Sequence, residues 1–258
     1  MVKGLYTAYT GMINEQHRMD TLTNNLANAA TTGYKKEGAT SQAFDDVLGY
    51  KIKDTSEYNL PKRMGVLNMG VKVGESYTDY SQGAFRQTDN TFDLALSGDG
   101  FFAIEYTNKA DETSVKYTRD GSFTLTQEGN LVTKDGDYVL DADGNHITID
   151  PLAEVSIDRT GGIYANGVHI ADIQVTNFQD LNYLAKFGEN LYTALEGATL
   201  IPGNAQVVSG YLEQSNVSVV SEMVQMISVS RAYETNQKIV QTMDESLEQA
   251  VNSLGKLV

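Results

Sequence analysis

The residues that could carry chemistry in this chain are few and scattered. Its three histidines are His17, His146 and His169. None stands with a second His or a carboxylate at metal-ligand spacing on a predicted rigid element. His17 follows Glu15 by two positions, which puts the pair on different faces of a helix. All three read as surface residues. Asp141-Ala142-Asp143-Gly144-Asn145 has the look of a calcium loop. An EF-hand needs Gly at its sixth position and Glu at its twelfth, and this chain has His146 and Leu152 there. A hairpin turn explains the residues better. Gly98-Asp99-Gly100 lacks the third Gly of a dinucleotide fingerprint, and neither a phosphate loop nor a Gly-x-Ser-x-Gly elbow occurs. Asn216-Val217-Ser218 matches a glycosylation sequon, but at a place where a helix is predicted to begin. Asp45-Asp46 could serve as acid and base, yet adjacent carboxylates in an acidic protein read first as solvated surface. No catalytic residue, metal ligand or cofactor site is expected.

Charge and composition narrow the partners. The chain of 258 residues carries a net charge of −15 and has no Cys. Residues 1–35 sum to +1 and residues 210–258 to −3, so the middle holds −13. An acidic middle argues against nucleic acid, which needs a basic face to neutralise phosphates, and against anionic lipid. Solubility accounts for most of it. Zero Cys excludes disulfides, thiolate metal sites and Cys nucleophiles. No stretch reaches the roughly 18–20 apolar residues of a membrane span, so no direct membrane insertion is expected. Met1-Val2-Lys3-Gly4-Leu5-Tyr6 lacks the basic and apolar regions of a cleaved signal peptide, and these rules alone keep the protein in the cytosol.

The elements that would position any site divide into two kinds. From Lys3 to about Ala30, steps of three and four give Leu5, Ala8, Met12, Glu15, Met19, Leu22, Leu26 and Ala29, with Glu15 the one polar member. This predicts an amphipathic helix with a coiled-coil-like seam, ending near Thr31-Thr32-Gly33. From Met226 the same steps give Met226, Val229, Tyr233, Asn236, Val240, Met243, Leu247, Ala250, Leu254 and Leu257. Residues 217–255 predict one long helix, with Ser215 and Asn216 as candidate N-caps and Asn236 as a register-setting polar residue in the seam. Core packing within one domain explains both stripes as well as pairing between subunits does. Between them, residues 81–195 read as short strands. Phe92–Leu96, Phe101–Tyr106, Ser122–Thr126 and Tyr138–Leu140 are separated by Asp120-Gly121, Gly129-Asn130, Asp135-Gly136, Asp143-Gly144 and Asn166-Gly167, which accept the positive φ of tight hairpins. The fold class expected is α+β: terminal helices in a coiled-coil-like layer around a β-rich middle of short antiparallel strands. The segments are 1–35, an N-terminal helix; 36–80, an extended connector; 81–195, a β-rich domain; and 196–258, a return segment and C-terminal helix.

Several ordered blocks resemble the flagellar basal-body rod and hook protein family. Leu22-Thr23-Asn24-Asn25-Leu26-Ala27-Asn28 running to Thr32-Gly33-Tyr34-Lys35 is similar to its N-terminal signature. Gln87 to Phe102, containing Phe92-Asp93-Leu94-Ala95-Leu96-Ser97-Gly98-Asp99-Gly100-Phe101-Phe102, resembles its central motif. Tyr117-Thr118-Arg119-Asp120-Gly121-Ser122-Phe123, Gly129–Thr133 and Gly188–Tyr192 resemble later blocks. Gly210–Val217 with Ser215-Asn216, Glu222–Ile227 and Arg231-Ala232-Tyr233-Glu234 resemble the C-terminal signature. Residues 45–80 match nothing. Phe92 and Ala29-Ala30 depart from the usual pattern.

The resemblance implies a structural subunit, not an enzyme, in an axial drive shaft that turns the hook. It implies terminal helices packed into an inner tube with the β-rich middle outward. The partners implied are copies of itself, other rod subunits, the hook protein and the flagellar type III export apparatus. Export by that route needs no cleaved leader and replaces the cytosolic expectation with an extracytoplasmic one. The packing residues implied are Leu5, Met12, Met19, Leu22, Leu26, Met226, Val229, Tyr233, Val240, Met243, Leu247 and Leu254. Length favours a rod protein over a hook subunit, and the Gly98–Phe102 and Arg231–Glu234 blocks look closer to the distal rod type than to the proximal. The alternatives are a proximal rod subunit and a surface-binding β module on coiled-coil stalks. A peptidoglycan-acting enzyme would need a catalytic insert for which the chain has no room.

Overall fold

A computed structural model describes residues 2–50, 63–108, 112–188 and 190–255. The chain divides into two compact units built from interleaved segments. A helical unit takes Met1–Leu26, Glu37–Asp79 and Ser218–Val258, and a β unit takes Ala27–Lys36 and Tyr80–Val217.

The helical unit holds α1 (Val2–Ala27) and α2 (Val219–Gly255), the two helices that the apolar periodicity predicts. Each differs at one end. The first helix stops at Ala27, short of the expected Ala30. There Asn28 takes over Thr31, its carbonyl accepting the Thr31 N–H at 3.2 Å and its Oδ1 the Thr31 hydroxyl at 3.2 Å. The second helix starts at Val219, where the Ser218 carbonyl accepts the Glu222 N–H at 3.0 Å. The expected caps are used otherwise: Ser215 Oγ accepts from Val217 N, and the Asn216 side chain joins Lys36 to Ser81.

Between the helices in sequence lie β1 (Glu37–Ala43), β2 (Val47–Tyr50), β3 (Arg63–Leu67) and β4 (Val71–Thr78). β1 pairs with β4 from Glu37↔Thr78 to Ala43↔Val71, and β2 with β3 from Val47↔Leu67 to Tyr50↔Arg63. The two pairs continue each other as one antiparallel ribbon, joined where Phe44 N donates to the Gly70 carbonyl at 3.1 Å. The residues expected to form an extended connector therefore carry four strands. A two-stranded ribbon is marginal alone in water. This one leans on α1: the Ser41 hydroxyl donates to buried Asn14 at 3.1 Å, and the Phe44 and Tyr6 rings stand 6.5 Å apart.

The β unit contains β5 (Phe85–Gln87), β6 (Leu94–Ser97), β7 (Phe101–Thr107), β8 (Thr113–Thr118), β9 (Phe123–Leu125), β10 (Leu131–Thr133) and β11 (Tyr138–Val139). After these come β12 (Val155–Ile157), β13 (Gly162–Ala165), β14 (Val168–Asp172), β15 (Val175–Phe178), β16 (Leu184–Phe187), β17 (Leu191–Ala194), β18 (Leu200–Pro202), β19 (Gln206–Ser209) and β20 (Tyr211–Glu213). The main sheet runs β16-β17-β8-β7-β11-β10-β9, with β15 also on β7 and β18 on β15. β12-β13-β14 form a second sheet, and β6 pairs with β19 and β5 with β20, all antiparallel. Asn166-Gly167 take positive φ between β13 and β14, as a tight hairpin requires.

The strand at the centre, β7, is buried on both faces. Phe102 and Ile104 point into one apolar cluster with Leu94, Leu96, Phe123 and Ile147. Phe101 and Ala103 point into the other, where Phe101 meets the rings of Tyr80, Phe178 and Tyr192 at 5.5–6.0 Å. Alternation sends neighbours to opposite faces. A strand with two dry faces therefore reads as an unbroken apolar run, which is what Phe101–Ile104 shows. The architecture is α+β, with helices at the chain ends and short antiparallel strands between them.

Candidate assembly surface

Within the helical unit, α1 and α2 run antiparallel in one constant register. A Cβ on Gly4 would lie 2.6 Å from the Met243 methyl, and a Cβ on Gly11 would lie 3.0 Å from Asn236 Nδ2. One helix end further on, Asn25 Nδ2 donates to Glu222 Oε2 at 3.3 Å. In each of these pairs the residue numbers add to 247, so the helices keep step for most of α1. Glycine at positions 4 and 11 lets the helices approach, and the polar Asn236 in the α2 stripe faces a position with no side chain. Asn25 and Glu222 are both fully buried. Asn25 also grips the Glu37 backbone, accepting from its N–H at 2.9 Å and donating to its carbonyl at 2.8 Å. One amide side chain thus imitates a strand partner and fixes where the chain re-enters the helical unit.

Within the β unit, one buried carboxylate joins four separate segments. Glu213 Oε1 accepts from Lys35 Nζ at 2.5 Å and from Gly83 N at 2.9 Å, and Oε2 accepts from Arg119 Nη1 at 3.3 Å. Lys35 also donates to the Ser81 carbonyl at 2.8 Å, and the Glu213 carbonyl accepts the Gly33 N–H at 2.9 Å. Lys35 and Glu213 are fully buried and Arg119 nearly so. Arg119 further lies over the Phe101 ring, 5.3 Å from its centre. Such a cluster holds only while both signs of charge are present, because an isolated ion in a dry core is strongly unfavourable. It fastens residues 33–35, near the start of the chain, to β20, near its end. Gly33 has φ +68°, and a Cβ there would fall 2.4 Å from Asp120 N, so no other residue fits.

The candidate chemical groups do not converge. His146 Nε2 lies 3.0 Å from Glu105 and its ring stacks on Tyr138, while His169 Nε2 lies 2.8 Å from Asp172. Among the described residues no three ligating side chains come together. Asp141 Oδ1 accepts the N–H groups of Asp143 and Asn145, so this carboxylate closes a turn. No described helix is long and apolar enough to cross a membrane.

Comparison with known proteins accounts for this architecture. Three family models match in order: flagella basal body rod protein over residues 5–35, flagellar hook protein FlgE/F/G D1 domain over 95–165, and flagellar basal body rod FlgEFG protein C-terminal over 208–254. The flagellar basal-body rod protein FlgG of Buchnera aphidicola is 32% identical, with 96% of this chain aligned to 98% of that one. The chain belongs to the flagellar basal-body rod protein family. It is similar end to end to FlgF of Caulobacter vibrioides, at 34% identity over the whole of both chains. It is 33% identical over the same span to the hook-basal body complex protein FlhO of Bacillus subtilis. As a rod-family protein it is a structural subunit.

The rod-family motif residues are tied into both units. Asn25, Gly33 and Arg119 hold the contacts described above. Asn28 ends α1, Gly98 and Gly100 bound the turn from β6 to β7, and Phe101 and Phe102 fill the two cores. A Cβ on Gly121 would strike the Leu94 carbonyl at 1.8 Å. Leu26 is half-buried, and Asn24 and Arg231 are exposed on the helices.

The stripe named from sequence faces inward to different degrees. Leu22 and Val229 are buried within this one chain, while Leu5, Met12, Met19, Met226, Tyr233, Val240, Met243 and Leu247 are half-buried. Leu254 lies in α2, and Leu257 falls outside the described residues. Sequence reading placed Lys35, Glu213 and Glu222 inside family-like blocks without assigning any of them a contact. It also passed over a second set of apolar residues, Tyr6, Tyr9 and Ile13 on α1 and Val220, Met223, Val224 and Ile227 on α2, which stand 42–73% exposed. Their own spacing of three and four was the available signal.

Proposed function

We propose that this rod subunit is of the distal type, that its two terminal helices carry the contacts between subunits, and that it transmits torque toward the hook. The observation that carries the reading is the end-to-end match to FlgG rod proteins, which includes both helices and the β unit. The Gly98–Phe102 and Arg231–Glu234 blocks support the distal type. The full-length match to FlgF supports a second reading, a proximal rod position.

The remaining partners follow from the same reading. They are copies of the chain, neighbouring rod subunits, the hook protein and the flagellar type III export apparatus, with a final place outside the cytoplasm. The role asks for no catalysis, and the turn-bound Asp141 and the singly paired His146 and His169 are accounted for as structure.

Immunogold labelling of isolated hook–basal bodies, with an antibody raised against residues 81–195, tests the assignment. Label on the rod beside the hook junction is the expected result. Label at the membrane end replaces the distal type with the proximal. Protein found only free at the cell surface overturns the rod position.

A further inference from the structure

Each helix carries two apolar faces. On α2 the inner face bears Val229, Asn236 and Met243, and Val220, Met223, Val224 and Ile227 lie about half a turn round at about 100° per residue. On α1 the inner face bears Gly4, Gly11 and Leu22, and Tyr6, Tyr9 and Ile13 lie on the side away from it, with Tyr6 at the edge where the Phe44 ring of the ribbon stands 6.5 Å away and still 45% exposed. The outer stripes are short. Further along α2 the same face turns polar with Arg231, Glu234 and Lys238, and on α1 with Gln16 and Asp20.

Three residues of each outer stripe match in spacing, and Met223 of α2 lies beside the matched set. Tyr6, Tyr9 and Ile13 are spaced three then four, and Val220, Val224 and Ile227 four then three. Laid antiparallel, Tyr6 meets Ile227, Tyr9 meets Val224 and Ile13 meets Val220. A single copy cannot make this contact. The stripes lie on opposite outer sides of the helix pair, and the intrachain register sets them two heptads apart, about 21 Å at about 1.5 Å per residue.

We propose that the outer stripe of α1 in one copy packs on the outer stripe of α2 in a second copy, displaced by about 21 Å along the helix axes. The proposal rests on the reading that the chain assembles with itself. It adds which face does so, in what register and with what stagger. The contact is heterologous, because α1 of one copy meets α2 of the next. Each added copy presents the same unfilled pair of stripes, so growth does not terminate. Polar residues beyond each stripe penalise other registers, since a slip would bury Arg231 or Asp20 against an apolar face.

The absence of Cys makes the test direct. A full-length chain carrying Tyr9→Cys and Val224→Cys replaces the parent in cells. Hook–basal bodies are then isolated and treated with a short bis-maleimide. A ladder of cross-linked multimers is expected, absent from either single variant and from Tyr9→Cys with Arg231→Cys, one heptad out of register. If the double variant does not incorporate, Tyr9→Cys and Val224→Cys chains produced together must give a cross-linked dimer. Incorporated subunits with no cross-link, or an equal ladder from the out-of-register pair, overturn the contact and leave the rod assignment standing. Parent protein missing from hook–basal bodies overturns the rod assignment itself. Val224→Asp gives a second readout: an unchanged melting temperature of the monomer with incorporation down about tenfold or more. Incorporation at the parent level overturns the proposal.

Discussion

Asn236 of α2 stands against Gly11 of α1, its Nδ2 only 3.0 Å from where a Cβ on Gly11 would be. Glycine inside a helix is ordinarily unfavourable by about 1 kcal/mol relative to alanine. Its use here is explained by the amide it faces. The Gly11→Ala variant should therefore forfeit the usual gain, and Gly11→Val should lose about 1–3 kcal/mol through overpacking. Gly11→Ala combined with Asn236→Ala should recover the gain. Denaturant unfolding of the parent, Gly11→Ala, Asn236→Ala and the double variant in a double-mutant cycle checks this. Additive effects would mean that the two positions do not sense each other.

Glu213 supplies the negative charge that Lys35 and Arg119 share. Glu213→Gln keeps the shape and removes the charge, leaving two buried cations facing a neutral amide. A loss of about 3–5 kcal/mol is expected, the range for breaking a buried ion pair from one side. Lys35→Met should be milder, because Glu213 keeps Arg119 and the Gly83 N–H. Calorimetry that ranked Lys35→Met as the more damaging would show that the Ser81 and Lys35 contact matters more than the shared carboxylate.

The Asp137 carboxyl has a raised pKa. Burial raises its pKa above the ordinary carboxylate range, the Asp135 charge raises it further, and a hydrogen bond with the Thr107 backbone opposes both. A raised folded-state value means that the native chain binds the proton more tightly than the unfolded chain does. Stability from this group is therefore present at low pH and is lost as pH rises from the ordinary carboxylate pKa through the raised one. Asp137→Asn should stabilise the protein at about pH 7, with the advantage fading as pH falls through the raised pKa and gone below about 4. Melting temperatures of parent and variant across that range check the sign. An advantage that grows toward low pH would contradict it.

Much of this fold was legible in the chain. Steps of three and four found both helices, and the Asp-Gly, Gly-Asn and Asn-Gly pairs found the hairpins, because both signals are local. The start of α2 was misplaced where a longer-range partner intervened. Asn216 looks like a cap, but its side chain is taken by Lys36 and Ser81. The Lys35–Glu213–Arg119 cluster joins residues too far apart in sequence for any pattern to reveal, and charged residues read by default as solvated surface. Residues 36–80 read as a connector because β1 and β4, half-buried to exposed along their length, have little of the apolar alternation that marks a strand. Periodicity also finds a helix stripe without telling what covers it. The inner stripe and the outer one follow the same rule, and only the register of α1 against α2 separates them.

The inner stripe makes a prediction of its own. Leu22 and Val229 are buried within the helical unit, so truncating either should destabilise the chain itself. Leu22→Ala should lower stability by about 2–5 kcal/mol. Leu26 and Leu247 are half-buried at the margins of the same seam. Asp at either position should leave the β unit folded, since its two apolar clusters contain no residue of the helices. The variants should nonetheless fail to build a rod. Limited proteolysis should then release a resistant fragment covering the β-rich middle, and cells producing Leu247→Asp should not swim. Normal swimming by Leu26→Asp or Leu247→Asp would remove the seam margins from the packing surface. The contacts between subunits would then fall to the outer stripes alone.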